Sequence, residues 1–386
     1  VQREVCAVGT LGPGAAPTQL AGLDLAAAWA LTRGAGQRVA VIDTGVAPHR
    51  RLPGLIGGGD YVSTGDGTRD CDGHGTLVAG IIAAAADPVT DGFSGVAPLA
   101  TVIGIRASST RFAALGDAAG IGDVDILAKA VRTAADLGAS VINISTVACR
   151  PARTGLDDRA LGAALAYAVE IKNSVVVAAA GNTDQGCGAQ EPMIVTPAWY
   201  DNYVLTVGSV NSRGVASAFT LPGPWVDVAA PGEAVLSLST VGDALADTLD
   251  DSPLSGTSFA APVVSGLAAL IRSRFPQWTP HQVMDRIRAT AHHPPGGRDD
   301  LVGAGVVDVL AALTFDVATS AEPPRPAPPL SRPAPDLEPA AEAAPAGLRT
   351  AIVGTAALLA LLLAALTGRA LSGRAPRPGS ASPGHD

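Results

Sequence analysis

Five short apolar runs rich in Val and Ile punctuate the chain: VAVID (39–43), TVIGI (101–105), SVINIS (140–145), SVVVAAA (174–180) and YVLTVGSV (203–210). Their length and β-branched content predict buried strands. Longer stretches with helical spacing lie between or after them: GTLVAGIIAAAA (75–86), DVDILAKAVRTAADLG (123–138), ALGAALAYAVEIK (160–172) and FAAPVVSGLAALIRSRF (259–275). Strands alternating with helices predict an α/β unit over residues 22–317, with a mostly parallel sheet covered by helices on both faces. In such sheets, functional groups gather at the carboxyl ends of the strands. No internal repeat interrupts this pattern.

The pattern changes abruptly after residue 317. Residues 318–348 are rich in Pro and Ala, with nine prolines between 321 and 348, and cannot bury a core. Thr350–Gly368 then runs nineteen residues without a charge, enough for a helix to cross about 30 Å of hydrocarbon. Residues 349–369 therefore read as a transmembrane helix; a core helix of that length has no neighbouring domain to be buried in. Arg349 precedes the span, whereas Arg369, Arg374 and Arg377 follow it. The positive-inside bias puts residues 370–386 in the cytoplasm and residues 22–317 on the outer face of the cell membrane. Residues 1–21 form a Gly/Pro-containing extension, and export implies a signal peptide removed ahead of Val1.

Net charge of −9 and a pI near 5.1 argue against a phosphate-tracking surface, so no nucleic acid is expected as partner. Cys6, Cys71, Cys149 and Cys187 are far apart with no CxxC pair, which argues against zinc. No metal or cofactor is expected. In an exported protein, four cysteines imply two disulfides, with three possible connectivities.

Three polar blocks sit where the chain turns from strand to loop or from loop to helix. Strand 39–42 ends in Asp43-Thr44-Gly45, which lacks the Gly-rich turn of a nucleotide site and the second Asp-Thr-Gly of an aspartic protease. Asp72-Gly73-His74-Gly75-Thr76 opens one apolar helix, and Ser255-Gly256-Thr257-Ser258 opens another. Taken singly, Asp43 reads more readily as a turn or cap residue, His74 as either a structural or a catalytic histidine, and Ser258 or Thr257 as a helix cap.

Taken together, and in this order, they resemble the subtilisin-like serine proteases, the subtilases. VAVIDTGV, DGHGTLVAGIIA, VINIS, AAAGN, DVAAPG and SGTSFAAPVVSG all match, over about residues 37–315. The resemblance implies a subtilisin-like three-layer fold and a triad of Asp43, His74 and Ser258. In that chemistry His74 takes the Ser258 proton, and Asp43 fixes the imidazole. The family's oxyanion-hole amide falls on Asn182. Its substrate-binding edge falls on Ser145, Thr146 and Val147, and a second wall on Ala179, Ala180 and Gly181. Many subtilisins carry a Gly pair where this chain has Thr146-Val147, so the pocket departs from the family pattern.

A narrower resemblance is to the mycosins, the membrane-anchored subtilases of type VII secretion systems. It rests on the extension with Cys6, the positions of Cys71, Cys149 and Cys187, the Pro-rich linker and the single C-terminal span. It implies a serine endopeptidase that cuts exported proteins or peptides and works beside a type VII secretion membrane complex. The second reading is a mainly structural subunit of that complex, with proteolysis secondary. We expect Cys6–Cys71, tying the extension beside the His74 motif, and Cys149–Cys187, joining loops at neighbouring strand ends. Cys6 lies in a segment with too weak an apolar pattern to dock unaided. The histidines 49, 281, 292 and 293 are expected at the surface. Asp60, Asp66, Asp70 and Asp72 are expected as solvated loop carboxylates, and residues 106–123 as a loop insertion near the substrate.

Overall fold

Seven parallel strands carry the fold in this computed structural model, which describes residues 1–314 apart from 13–17, 115–119, 153–156, 184–186 and 188–192. In chain order they are β1 (Arg38–Asp43), β2 (Ile56–Asp60), β3 (Thr101–Arg106), β4 (Val141–Ile144), β5 (Val175–Ala179), β6 (Val204–Val210) and β7 (Val228–Pro231). The sheet order is β7-β6-β5-β4-β1-β3-β2. Every pair in it is parallel. All five expected strands lie in this sheet. β2, with its IGGGD sequence, and the four-residue β7 carry too little apolar signal to be read in advance.

The sheet is buried on both faces, which explains why its strands read as continuous apolar runs rather than alternating ones. One face packs against α1 (His74–Ala83) and α4 (Thr257–Arg274), in a cluster that includes Val39, Val41, Ile81, Val177 and Leu267. The other packs against α2 (Val124–Asp136) and α3 (Arg159–Ala166), with Ala40, Ile42, Ile142, Val176 and Leu165. Alternate residues of one strand thus serve opposite cores, as a two-residue period requires. α4 is buried along nearly its whole length, including Pro262 within it. A helix apolar on all sides is a core helix, and α4 is the axle of this layer. A fifth helix, α5 (Pro280–Thr290), opens with a capping box in which Thr279 and Gln282 exchange hydrogen bonds.

β1 lies between β4 and β3, so the chain leaves it in a crevice where the strand order reverses. That is where ligands bind in open α/β sheets. The start of α1 and the start of α4 face this crevice, and the expected blocks come together there.

The extension docks more firmly than its composition suggests. Gly9–Thr10 pairs antiparallel with Thr248–Leu249, the Val1 amino group donates to the Ala113 carbonyl, and Cys6 is bonded to Cys71. Main-chain pairing supplies what the apolar pattern lacked. Among the described residues, no helix is long and apolar enough to cross a membrane. The expected linker 318–348, span 349–369 and tail 370–386 lie outside the described residues.

Candidate active site

Asp43, the last residue of β1, is fully buried, and its Oδ1 lies 2.8 Å from His74 Nδ1. His74 Nε2 lies 2.9 Å from Ser258 Oγ. The three side chains therefore form one hydrogen-bonded line across β1, α1 and α4. Asp43 Oδ1 also accepts the Thr44 N–H at 2.8 Å, which orients the carboxylate before any substrate arrives. Phe259 covers the imidazole, with ring centroids 5.0 Å apart.

Sequence explains the close approach. Gly75 follows His74 at the start of α1, and a Cβ there would sit 2.0 Å from the Gly45 carbonyl oxygen. Only glycine lets the β1 turn and the helix start meet, so the glycine after His74 is a packing requirement. Ser258 stands in the first turn of α4, one residue past its first residue, Thr257; the cap position is Gly256. Ser258 is therefore not the helix cap.

A second carboxylate fixes the junction. Asp70 accepts the Thr44 hydroxyl, the Gly73 N–H, the Thr76 N–H and the Thr76 hydroxyl, all within 2.8 Å. Burial pushes its pKa up, against the pull of those hydrogen bonds. Asp72 holds the next layer: it accepts the Ser109 and Thr110 hydroxyls and the Thr110 and Arg111 N–H groups. Expected as solvated loop carboxylates, Asp70 and Asp72 are instead clamps that bind the β1 turn and the 109–111 loop to the start of α1. Asp60 is also withdrawn from water, facing buried Arg106 at 3.6 Å. Only Asp66 of the four remains exposed.

The imidazole titrates above the ordinary histidine value. Burial opposes the charge, but the Asp43 carboxylate and its hydrogen bond outweigh burial, aided by Asp70 and Asp72. The site is thus built to hold a proton on His74 once one arrives.

Asn182 follows β5 and turns toward the same point. Its Oδ1 accepts both the Thr257 N–H, at 3.1 Å, and the Thr257 hydroxyl, at 2.8 Å. This leaves Nδ2 free to face the serine side. A Cβ at Gly256 would lie 3.1 Å from Ser258 Oγ and 3.3 Å from Asn182 Nδ2, so Gly256 keeps open the space between the hydroxyl and the amide. Ser145 donates to the Ser258 carbonyl at 2.9 Å and accepts from Asn143 Nδ2, while Ser265 donates to Asn143 Oδ1. Asn143 and Ser265 are supporting residues that sequence reading missed. A buried Asn within the apolar VINIS run was the available signal.

Thr146 and Val147 belong to neither the β4 ladder nor the short antiparallel ribbon of residues 148–151 with 193–196 that follows. Gly181 lies across from Val147, its N–H donating to Thr257 Oγ1, and Ala179 and Ala180 continue that wall as buried residues. Cys149 is bonded to Cys187, with Cα atoms 5.4 Å apart; the Cys6 and Cys71 Cα atoms are 4.4 Å apart. One expected surface histidine is misplaced: His49 is buried, facing the Ala244 carbonyl and accepting the Arg51 N–H, because the hairpin around Asp243 covers it.

Residues 34–305 match the Subtilase family. Mycosin-4 of Mycobacterium tuberculosis is 59% identical, over 98% of this chain and 87% of that one. Mycosin-3 of the same organism is 46% identical, over 85% and 81%. Among solved structures, the MycP3 protease from the type VII (ESX-3) secretion system superposes with a TM-score of 0.76 at 46% identity, covering 82% of this chain and 94% of that one. A chain in the intact ESX-5 inner membrane complex gives 0.77 at 40% identity, covering 96% and 94%.

Proposed function

This chain belongs to the subtilase family and, within it, to the mycosins; it is a serine endopeptidase, and we propose that Asp43, His74, Ser258 and Asn182 carry its chemistry. The observation that carries this reading is the line of two hydrogen bonds, 2.8 and 2.9 Å, ending beside an amide held by Thr257. Ser258 Oγ attacks the peptide carbonyl while His74 Nε2 takes its proton, and His74 returns that proton to the leaving amine. Asp43 holds Nδ1–H and stabilises the imidazolium. Asn182 Nδ2 and the Ser258 N–H receive the oxyanion. Water then repeats the sequence to release the acyl group. The substrate lies as an added strand along Ser145, Thr146 and Val147, facing Ala179, Ala180 and Gly181. A serine-directed phosphonylating reagent tests the assignment: it labels Ser258, and Ser258→Ala abolishes both labelling and hydrolysis. Labelling at any other residue would sink it.

The same reading extends to place. The uncharged run 350–368 and the Arg residues after it support a single span, with residues 22–317 outside and 370–386 inside. The similar chain in an intact ESX-5 inner membrane complex supports a type VII secretion complex as partner, with exported proteins as substrates. That likeness also favours a supporting role within the complex. Ser258→Ala in the producing cell separates the roles: export that persists without cleavage assigns the support to the fold. A chain ending at residue 348 should leave the membrane fraction.

A further inference from the structure

We propose that Val147, backed by Leu221, closes the pocket for the substrate side chain just before the cut bond, so that only Gly, Ala or Ser is accepted there. The proposal rests on the catalytic reading above. That reading puts the attacked carbonyl between Ser258 Oγ and Asn182 Nδ2, and its side chain between the 145–147 edge and the 179–181 wall.

The spacing of those two walls decides the matter. A methyl built on Gly181 would lie 3.4 Å from Val147 Cγ2 and 3.4 Å from Leu221 Cδ2. With a Cα–Cβ bond of about 1.5 Å, the gap from Gly181 Cα to Val147 Cγ2 is under about 5 Å. A side chain inserted between two walls needs about 3.5–4 Å to each, or about 7 Å in all. The slot is therefore shut at the depth of Val147. Only a side chain that ends before that depth fits.

The closure is not easily relaxed. Val is branched at Cβ and stiff at χ1, so it does not swing aside as Leu or Met would. Behind it, Leu221, Val195 and Ala198 form a buried apolar cluster with Cys187, locked by the Cys149–Cys187 bridge. Leu221 is also held by its N–H, which donates to the Gly181 carbonyl at 2.9 Å. Among the described residues, that cluster offers no charge to a basic or acidic side chain.

The test uses the full chain, purified in detergent, and two peptidyl diphenyl phosphonates that differ only in carrying the alanine or the phenylalanine side chain beside phosphorus. Ser258 displaces phenoxide from each, and the two labelling rates read the pocket without knowledge of the natural substrate. A misfit of one methylene costs roughly 10- to 200-fold in an apolar pocket, so the alanine probe should react at least about 100-fold faster. Val147→Gly should lower that ratio by about tenfold or more, and Leu221→Ala should lower it less. A small alkyl fluorophosphonate reports whether each variant retains a working serine. If Val147→Gly fails that check, Val147→Ala carries the comparison. Equal rates with both probes in the unmodified chain would overturn the proposal, as would a ratio unmoved by substitution at 147. If even the alkyl reagent leaves Ser258 unlabelled in the unmodified chain, the catalytic reading itself has failed, and the pocket with it.

Discussion

Thr257 holds Asn182 by two hydrogen bonds to the same oxygen, one from its N–H and one from its hydroxyl. The amide cannot flip without losing both, so Nδ2 points at the serine side whether or not substrate is bound. Removing the amide with Asn182→Ala should lower kcat by about 10²- to 10³-fold. Thr257→Val keeps the backbone donor but loses the hydroxyl that donates to Asn182 and accepts the Gly181 N–H, each bond worth roughly 1 kcal/mol, so it should cost about fivefold to thirtyfold. Steady-state kinetics on a cleaved peptide, with KM little changed in both, checks this. A Thr257→Val enzyme at full rate would show that the hydroxyl does not orient the amide.

Gly256 makes a complementary prediction. Its backbone is extended and acceptable to any residue, so the constraint is the space beside Ser258 Oγ and Asn182 Nδ2. Gly256→Ala should fold with a melting temperature close to the parent yet lose activity by about 100-fold, since a methyl there competes with the oxyanion. Loss of folding in place of loss of rate would contradict this account.

The titration of His74 sets opposite trends for rate and stability. The proposed mechanism requires a neutral imidazole, and the His74 pKa lies above the ordinary 6.5, so the acid limb of kcat/KM should fall above pH 6.5. For stability the sign reverses. A raised pKa means the folded state holds the proton more tightly. The contribution is fully present below the unfolded histidine value and is lost as pH rises through the folded one. Denaturant midpoints of the parent and His74→Gln should therefore differ most in acid and converge in alkali. A limb below pH 6.5, or a difference that grows with pH, would refute the assignment.

Removing the Cys6–Cys71 bridge frees a loop of sequence separation 65. In the chain-entropy model that loop closure is worth about 4 kcal/mol. A Cys6→Ser/Cys71→Ser double variant should unfold at lower denaturant with that loss of stability. The Asp43–His74 hydrogen bond should survive, because Asp70 and Thr76 still fix the start of α1. The expected kinetic signature is a protein that is less stable yet cleaves at the parent rate at low temperature.

What sequence disclosed and what it hid divide along a physical line. The strands ending at Asp43, Ile144 and Ala179 were legible because burial on both faces leaves continuous Val and Ile runs. The three chemical blocks were legible because glycine and small polar residues must sit where strand ends meet helix starts. β2 was not, since its three glycines carry no apolar pattern and it pairs only with β3 at the sheet edge. Asp70 and Asp72 looked like ordinary loop carboxylates because their donors, Thr44, Thr76, Ser109 and Thr110, come from separate segments. His49 was misread for the same reason: the carbonyl it meets, Ala244, is 195 residues away. Nothing local records a partner so distant.

The docked extension has a consequence for how the molecule is cut. Its first ten residues are held by the Gly9–Thr10 pairing and by the bond from Cys6 to Cys71. A nick after Thr10 and before the first sheet strand would therefore release nothing. It would leave a two-chain protein whose short N-terminal fragment still braces the 109–111 loop through the Arg3 N–H bond to the Arg111 carbonyl. Such a species runs as one band until it is reduced.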